Sequence, residues 1–490
     1  MDGAAAKNEA LRLWRNLPLQ ERLTRQQASA FAAMIGPTLD FGVPDKRAKT
    51  IEGWLLKDIA LTEAAVLDTA VDATGQLHLV VPPWPQREGA SVFALVISLL
   101  VMIARRPDII ANAMLWAEDG AVWFADASNE GWWVMLFRAN GGYLQLFPRL
   151  VFDAATLLPL QLAPLFSVWI ALLVRAAVPA FLFSSRFSWI DWRAKVGITA
   201  YYLLMPNLAE VHANITNTHW YLGLYLLAVI LADPPRTPAW KVHDWVVLLI
   251  AASSGPLVVF TLPLLALRVL AQRHTAAARP AFLGAALALA ALQLGLLWLG
   301  PILGGARWAA RLDLLGFLQA LSARVVLGFL TPVRWTSALA IPAVAYPIAA
   351  IGGAIWIAVL VRGDWRARGL ALVAPLVLAA AVYGPIFGFV RTQSSMLAGT
   401  EAPGFFVVTS MAWAGTLVFF LARFLPRLSS LAQAAMVTVI GFPLLLGFTL
   451  PPVLGTPFGP VADRVAAAPP GQTITVPIAP PGWEMTLIKH

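Results

Sequence analysis

Cysteine is absent from this 490-residue chain, which excludes disulfides, thiolate metal sites and cysteine nucleophiles. Charge is scarce: 12% of residues are Asp, Glu, Lys or Arg, against about 25% in soluble domains. No G-x-x-x-x-G-K-[ST] loop, Rossmann glycine fingerprint or H-E-x-x-H pair occurs. Nothing therefore supports ATP-driven chemistry or a nucleotide cofactor within the chain. Residues 1–88 are polar and lack the early apolar run of a cleavable signal peptide.

What is present is apolar. Hydrophobic residues make up 59% of the chain, with 20 tryptophans and a mean hydropathy of +0.72. This is the composition of a polytopic membrane protein. Many tryptophans stand at the ends of apolar runs, where amphipathic rings favour the membrane interface. The formal net charge is +9. Residues 1–88 are close to neutral, so the excess belongs to the apolar part. There it points to loop topology and to anionic lipid or phosphate, not to nucleic acid.

Residues 1–88 read as a mostly helical cytoplasmic extension of unknown role. Helical spacing with mixed charge covers Asn8 to Met34, and proline-containing patches follow at Gly36–Pro44 and Val80–Pro85. From Gly89 apolar runs alternate with polar loops. The expected spans are 89–104, 163–184, 196–209, 219–232, 245–254, 256–272, 281–300, 338–361, 369–389, 405–423 and 431–449. Several are shorter than the ~20 residues of a straight span, which is tolerated where helices line a buried or watery cavity. The Ser253-Ser254-Gly255-Pro256 break fits either two helices or one kinked helix.

The positive-inside rule orients the map. With the N-terminus in the cytoplasm, one side receives short basic loops holding Arg186, Arg193 and Lys195; Arg236 and Lys241; Arg273 and Arg279; Arg362, Arg366 and Arg368; and Arg427. The other side receives the long loops 105–162, 301–337 and 390–404 and the tail. Arg105 and Arg106 are the local exception. The expected fold is thus an all-α polytopic membrane protein of about eleven transmembrane helices, N-in and C-out. Its apolar domain covers 89–450. An extracytoplasmic tail covers 451–490, with Thr473–Ile478 β-like and Trp483 as an interfacial anchor.

The first outer loop, 105–162, is far longer than an ordinary connection. It reads WAEDGAVWFADASNEGWWVMLFRANGGYLQLFPRL from Trp116, and its aromatic content predicts interfacial helices. Glu118 and Asp119 lead it, followed by Arg138, Tyr143 and Arg149. The plain reading of the acidic pair is a capped turn before Gly120. The second outer loop, LAEVHANITNTHWYLG, gathers Glu210, His212, Asn214, Asn217, His219 and Trp220. Hydrogen bonding that shapes a polar cavity is its main expectation. A metal set of Glu210, His212 and His219 is the sharper one, although the spacing matches no zinc motif. Asn214-Ile-Thr216 fits a glycosylation acceptor. Arg307, Arg311, Arg324, Arg334 and Arg391 add positive charge on the outer side, with Asp313 and Glu401 among them. Guanidinium forks match phosphate oxygens, while snorkelling at the interface explains each arginine singly.

An acidic pair in a long first outer loop, just after the first span, resembles the GT-C superfamily of integral-membrane glycosyltransferases, whose members carry Asp-x-Asp variants there. The passage from WAEDG through GGYLQLFPRL, then AEVHANITNTHW and the terminal PPGWEM, looks like an uncharacterised bacterial branch grouped with those enzymes. The resemblance covers residues 89–490. It implies a polyprenyl-phosphate sugar donor and a glycan or lipid acceptor reached from the extracytoplasmic side of the inner (plasma) membrane. It also implies an inverting displacement, with Asp119 as base and Glu118 assisting, or the two in reversed order. A divalent cation, Mg or Mn, is held by Glu118 and Asp119 if one takes part. Glu210, His212, His219 and Tyr143 are expected around the substrate, and Arg307, Arg311 and Arg391 at its phosphate. Two other functions use the same features: a transporter or flippase of a lipid-linked sugar, and a non-catalytic envelope-assembly subunit.

Overall fold

The computed structural model describes residues 2–15, 32–33, 46, 48–55, 69–71, 77–79, 89–273, 279–302, 314–383, 404–422, 438, 440–455 and 457–489. The chain falls into two compact units, Met1–Arg87 and Glu88–His490. In the first, helix α1 (Gly3–Arg15) buries Ala6, Ala10 and Trp14 against Ile51 and Leu55. Their spacing of four puts the three on one helical face. A short antiparallel pair, β1 (Thr69–Val71) and β2 (Leu77–Leu79), lies in the same unit. The helix expected from Asn8 starts five residues earlier, and residues 16–31 lie outside the described set.

The second unit is helical: α2 (Ala90–Arg105), α3 (Leu146–Ala155), α4 (Ala163–Leu182), α5 (Trp192–Leu204), α6 (Thr218–Leu231), α7 (Pro238–Ser253), α8 (Leu257–Ala271), α9 (Pro280–Ile302), α10 (Leu314–Ala320), α11 (Pro342–Arg362), α12 (Trp365–Tyr383), α13 (Gly404–Ala422) and α14 (Phe458–Ala467). Local chemistry sets several starts. Asp191 accepts the Arg193 N–H at 2.8 Å and caps α5. Thr237 caps α7 in the same way, and Pro238 follows at the first helical position.

Among the described residues four helices are long and apolar enough to cross a membrane, at Leu160–Leu182, Pro280–Leu299, Pro342–Arg362 and Gly404–Ala422. The distribution of side-chain size says the same. On α2 the buried face is Ala90, Ala94, Ser98 and Met102, while Val92, Val96 and Leu100 are exposed. Small residues inward and bulky apolar residues outward is the arrangement of helices packed in lipid, where close backbone approach holds the bundle. The architecture is that of a mostly helical membrane protein.

Polar contacts sort the helix ends onto two faces. On the first, Arg105 at the end of α2 donates to the carbonyls of Leu203, Met205, Gly447 and Phe448. These close α5 and the helical segment 440–446, so a cation meets two negative dipole ends. Ser254 accepts from the Phe147 N–H at 2.9 Å on the same face. On the second face, Asp244 takes a bidentate pair from Arg186 at 3.0 and 3.1 Å and a third bond from Arg279 at 2.6 Å. Arg366 pairs there with Asp233 at 3.0 Å, and Arg268 donates to the Ile230 carbonyl at 2.6 Å.

These contacts decide the Ser253–Pro256 break. His219 at the start of α6 lies beside Gly255 on the first face. Arg268 near the end of α8 meets the end of α6 on the second. Asp244, near the start of α7, is also on the second face. α7 and α8 are therefore an antiparallel pair, not one kinked helix. Two expectations shift. The span placed at 196–209 is helical over Trp192–Leu204, and Met205 already belongs to the loop. The loop placed at 301–337 contains α10 and a π-helical turn, Leu321–Val326, whose six residues are all buried. Arg324 disguised this segment. Its guanidinium lies 3.8 Å from the centre of the Phe406 ring, so the helix buries it instead of displaying it.

Candidate functional site

The WAEDG stretch turns sharply. Ala117 has φ of 46°, a left-handed conformation unusual for a residue with a Cβ. The C-terminal tail holds it there: Ala117 N–H donates to Ala479 O at 2.5 Å, and Ala479 N–H to Leu115 O at 3.2 Å. That tail is α14 followed by a hairpin of β3 (Thr473–Ile478) and β4 (Trp483–Ile488). Ile474, Val476 and Ile478 alternate inward and form one apolar cluster with Leu115, Trp123, Phe124 and Phe152. Gly120 makes the approach possible, since a Cβ there would stand 2.7 Å from Ile478 Cδ1. The tail is thus part of the site's scaffold, a role its β-like sequence did not announce.

The two adjacent acids have different surroundings. Asp119 is 1% exposed. One carboxylate oxygen accepts the Ile215 N–H at 3.0 Å and the other the Thr216 N–H at 2.7 Å. Trp123 Nε1 donates to the Thr216 hydroxyl at 2.7 Å beside them. Asp119 therefore ties the first outer loop to the second. Burial pushes its pKa up to about 7, against the pull of the two N–H donors, and the Glu118 charge adds to the rise. Glu118 is half-buried and its carboxylate takes no hydrogen bond from another described residue; burial raises its pKa too, against the pull of its own backbone N–H. It stands close enough to Tyr143 to help burial raise the phenol's pKa.

Tyr143 in turn meets the His219 ring edge-on at 6.4 Å between centroids. With Trp220, Pro256, Leu257, Phe260, Val377, Ala380 and Phe405 these two line a narrow crevice with room for about one water. His219 Nδ1 lies 2.7 Å from the Thr216 carbonyl. A carbonyl only accepts, so Nδ1 carries the proton. Nε2 makes no hydrogen bond among the described residues.

His212 stands apart from this group. Its Nδ1 accepts from Arg175 at 2.8 Å, and its Nε2 donates to the Met102 carbonyl at 3.1 Å. Burial, then the charges of Arg175, Arg105 and Arg106, hold its pKa well below the ordinary value. A neutral ring with both nitrogens engaged has no lone pair for substrate or metal. Glu210 is exposed, and its carbonyl accepts from Asn214 at 2.6 Å. Asn214 is buried and also bonds Asn217, so the glycosylation pattern at Asn214 is sealed inside the loop. Arg307, Arg311 and Arg391 lie outside the described residues, as do Asp313 and Glu401.

The donor set does not fit a divalent cation. Both Asp119 oxygens face N–H groups, His212 is fully engaged, and among the described residues no three His, Asp or Glu side chains come together. Three buried arginines also stand here: Arg175, which sequence reasoning missed, and Arg106 and Arg149, which it noted only as loop charges. Arg175 lies twelve residues into α4, about 18 Å along the helix, and stacks over Tyr221 at 4.9 Å. Arg106 donates to the Ala209 carbonyl at 2.7 Å. Arg149 pairs with Asp126 at 3.1 Å and lies over Trp123 at 5.0 Å. The break of Arg105-Arg106 with the positive-inside rule was the visible signal for this group. Comparison of the chain with family models, with curated proteins and with solved structures returns no match.

Proposed function

We propose that this chain is a membrane glycosyltransferase of the GT-C kind. It moves a sugar from a polyprenyl-phosphate donor to a glycan or lipid acceptor, in an inner (plasma) membrane. The reading places the first face outside the cytoplasm, with eleven spans, N-in and C-out. Glu118 is the observation that carries it: a half-buried carboxylate with a raised pKa, no ion pair and no hydrogen bond from another described residue, within electrostatic reach of Tyr143, which lines the crevice. A carboxylate kept out of ion pairs and unclaimed by other residues' donors is available to take a proton.

In this reading Glu118, not Asp119, is the base, because Asp119 is sealed. The Glu118 carboxylate takes the proton of the acceptor hydroxyl. The hydroxyl oxygen bonds to the anomeric carbon as the bond to the phosphate oxygen breaks. The phosphate leaves with the electron pair, and the single displacement inverts the anomeric centre. Arg307, Arg311 and Arg391 are proposed on sequence grounds to stabilise the leaving phosphate. No step depends on a divalent cation.

One observation favours the transport alternative: Arg175 is a buried charge well inside an apolar helix, a feature of ion and substrate pathways. Reconstituted protein given radiolabelled polyprenyl-phosphate sugars and a lipid-linked glycan separates the two. Transfer of label to the glycan supports the enzyme. Label that only changes leaflet, with the donor bond intact, refutes it.

A further inference from the structure

The acid that cannot reach substrate still has a specific connection to the crevice. Thr216 is held at three points. Its N–H donates to Asp119 at 2.7 Å, its hydroxyl accepts from Trp123 Nε1 at 2.7 Å, and its carbonyl accepts from His219 Nδ1 at 2.7 Å. The neighbouring Ile215 N–H donates to the other Asp119 oxygen at 3.0 Å. Asp119 therefore takes two consecutive backbone donors, which fixes the orientation of the chain entering α6. Thr218 adds a bond from its hydroxyl to the Ile215 carbonyl. The Thr216 carbonyl is then aimed at the His219 ring, one turn on.

A neutral imidazole carries one proton, and the bond made by one nitrogen decides what the other offers. With Nδ1–H given to Thr216, Nε2 keeps its lone pair. Ring position is set as firmly: Trp220 packs at 4.5 Å between centroids, and a Cβ on Gly255 would lie 3.3 Å from His219 Cβ.

We propose that Asp119 is a positioning residue that, by fixing Thr216, holds His219 in its Nδ1–H form, so that Nε2 accepts a hydrogen bond from a substrate hydroxyl in the crevice beside Tyr143. The last clause rests on the transferase reading; the Asp119–Thr216–His219 linkage does not. Asp119→Asn disrupts it specifically. An amide keeps one oxygen acceptor but turns an NH2 group toward a second N–H donor, so one of the two backbone bonds is lost.

The test has a spectroscopic arm and a transfer arm, both on the full chain in lipid nanodiscs. Histidine is labelled with 15N, and the His219 ring signals are those that vanish in His219→Gln. The expected wild-type pattern is a neutral ring protonated at Nδ1. In Asp119→Asn it becomes a mixture containing the Nε2–H form, while Glu118→Gln leaves it unchanged. A wild-type ring protonated at Nε2, or an unchanged Nδ1–H ring in folded Asp119→Asn, overturns the linkage. If Asp119→Asn does not fold, Trp123→Phe removes the bond to the Thr216 hydroxyl alone and is expected to give a weaker mixture. An unchanged ring there overturns the linkage equally.

In the transfer arm His219→Gln is expected to lower kcat/KM for the acceptor about tenfold, the worth of one ordinary hydrogen bond. Wild-type transfer with undiminished His219→Gln refutes the substrate contact and leaves the transferase reading intact. Absence of transfer by wild type, with the ring locked as described, refutes the transferase reading and leaves the linkage standing.

Discussion

Asp244 on the second face of the helical bundle and the WAEDG acids on the first are treated in opposite ways. On the second face Asp244 is fully buried and matched by Arg186 and Arg279, with His243 Nδ1 at 3.0 Å as a further partner. On the first face neither Glu118 nor Asp119 has a cation within ion-pair distance among the described residues. Asp119 is satisfied by the N–H groups of Ile215 and Thr216, and Glu118 takes no hydrogen bond from another described residue, only the pull of its own N–H. Arg105 and Arg106 on that face bond main-chain carbonyls instead, and Arg149 pairs with Asp126. Paired charge joins helix ends together. In the proposed transferase reading, the carboxylate left without a cation is the one that does the chemistry, and that asymmetry is the reason for choosing Glu118.

Removing the unpaired acid gives the largest expected change. Glu118→Gln is expected to lower transfer by roughly 10²–10⁴-fold, the range for a general base, with no loss of thermal stability. Equal transfer would move the chemistry elsewhere. Removing the paired acid acts the other way. Asp244→Ala strands two arginines and is expected to cost about 3–5 kcal/mol of stability, read as a lower midpoint of thermal unfolding in detergent. An unchanged midpoint would mean that the second face does not hold the bundle.

Smaller effects sharpen the contrast. Gly120→Ala pushes a methyl toward Ile478 and is expected to cost about 1–3 kcal/mol, loosening the tail, detected as faster proteolysis of residues 457–489. Undiminished protection would show that the tail adapts. The pH dependence has a definite sign. Glu118 must be ionised to accept a proton, and burial raises its pKa above 4.5. Transfer should therefore fall with decreasing pH along a limb centred above that value. Asp119 affects stability instead. Its folded pKa, about 7, exceeds its ordinary value of 3.8, so ionisation is penalised in the folded state. Its contribution is full below about 3.8 and is lost as pH rises toward 7. Asp119→Asn should flatten that part of the stability–pH curve. Because adjacent acids titrate together, the transfer limb is best compared in Glu118→Asp and Asp119→Asn side by side.

Much of the helical map was legible because apolar runs report burial in lipid directly. The runs expected at 163–184, 281–300, 338–361 and 405–423 correspond closely to α4, α9, α11 and α13. Segments that carry charge were harder. Leu314–Val326 read as loop because of Arg324, whose aromatic partner is far along the chain. The long first loop and its acidic pair stood out by length and composition. The division of roles within the pair did not, since Glu and Asp side by side look equivalent in sequence. Their difference comes from Ile215 and Thr216, almost a hundred residues on. The support of Ala117 by Ala479 is more distant still. His219 was visible as one of two histidines in a polar loop, but nothing in the sequence showed that, among the described residues, His219 bonds Thr216 alone while His212 is engaged by both Arg175 and Met102.

The most direct test of the central claim is the rate of sugar transfer by wild type, Glu118→Gln and Asp119→Glu in proteoliposomes, with a panel of polyprenyl-phosphate sugars. Loss of transfer in Glu118→Gln alone, with Asp119→Glu retaining a measurable rate, is the result predicted for an unpaired base beside a buried clamp. Full transfer by Glu118→Gln would contradict the account and leave WAEDG as a structural turn.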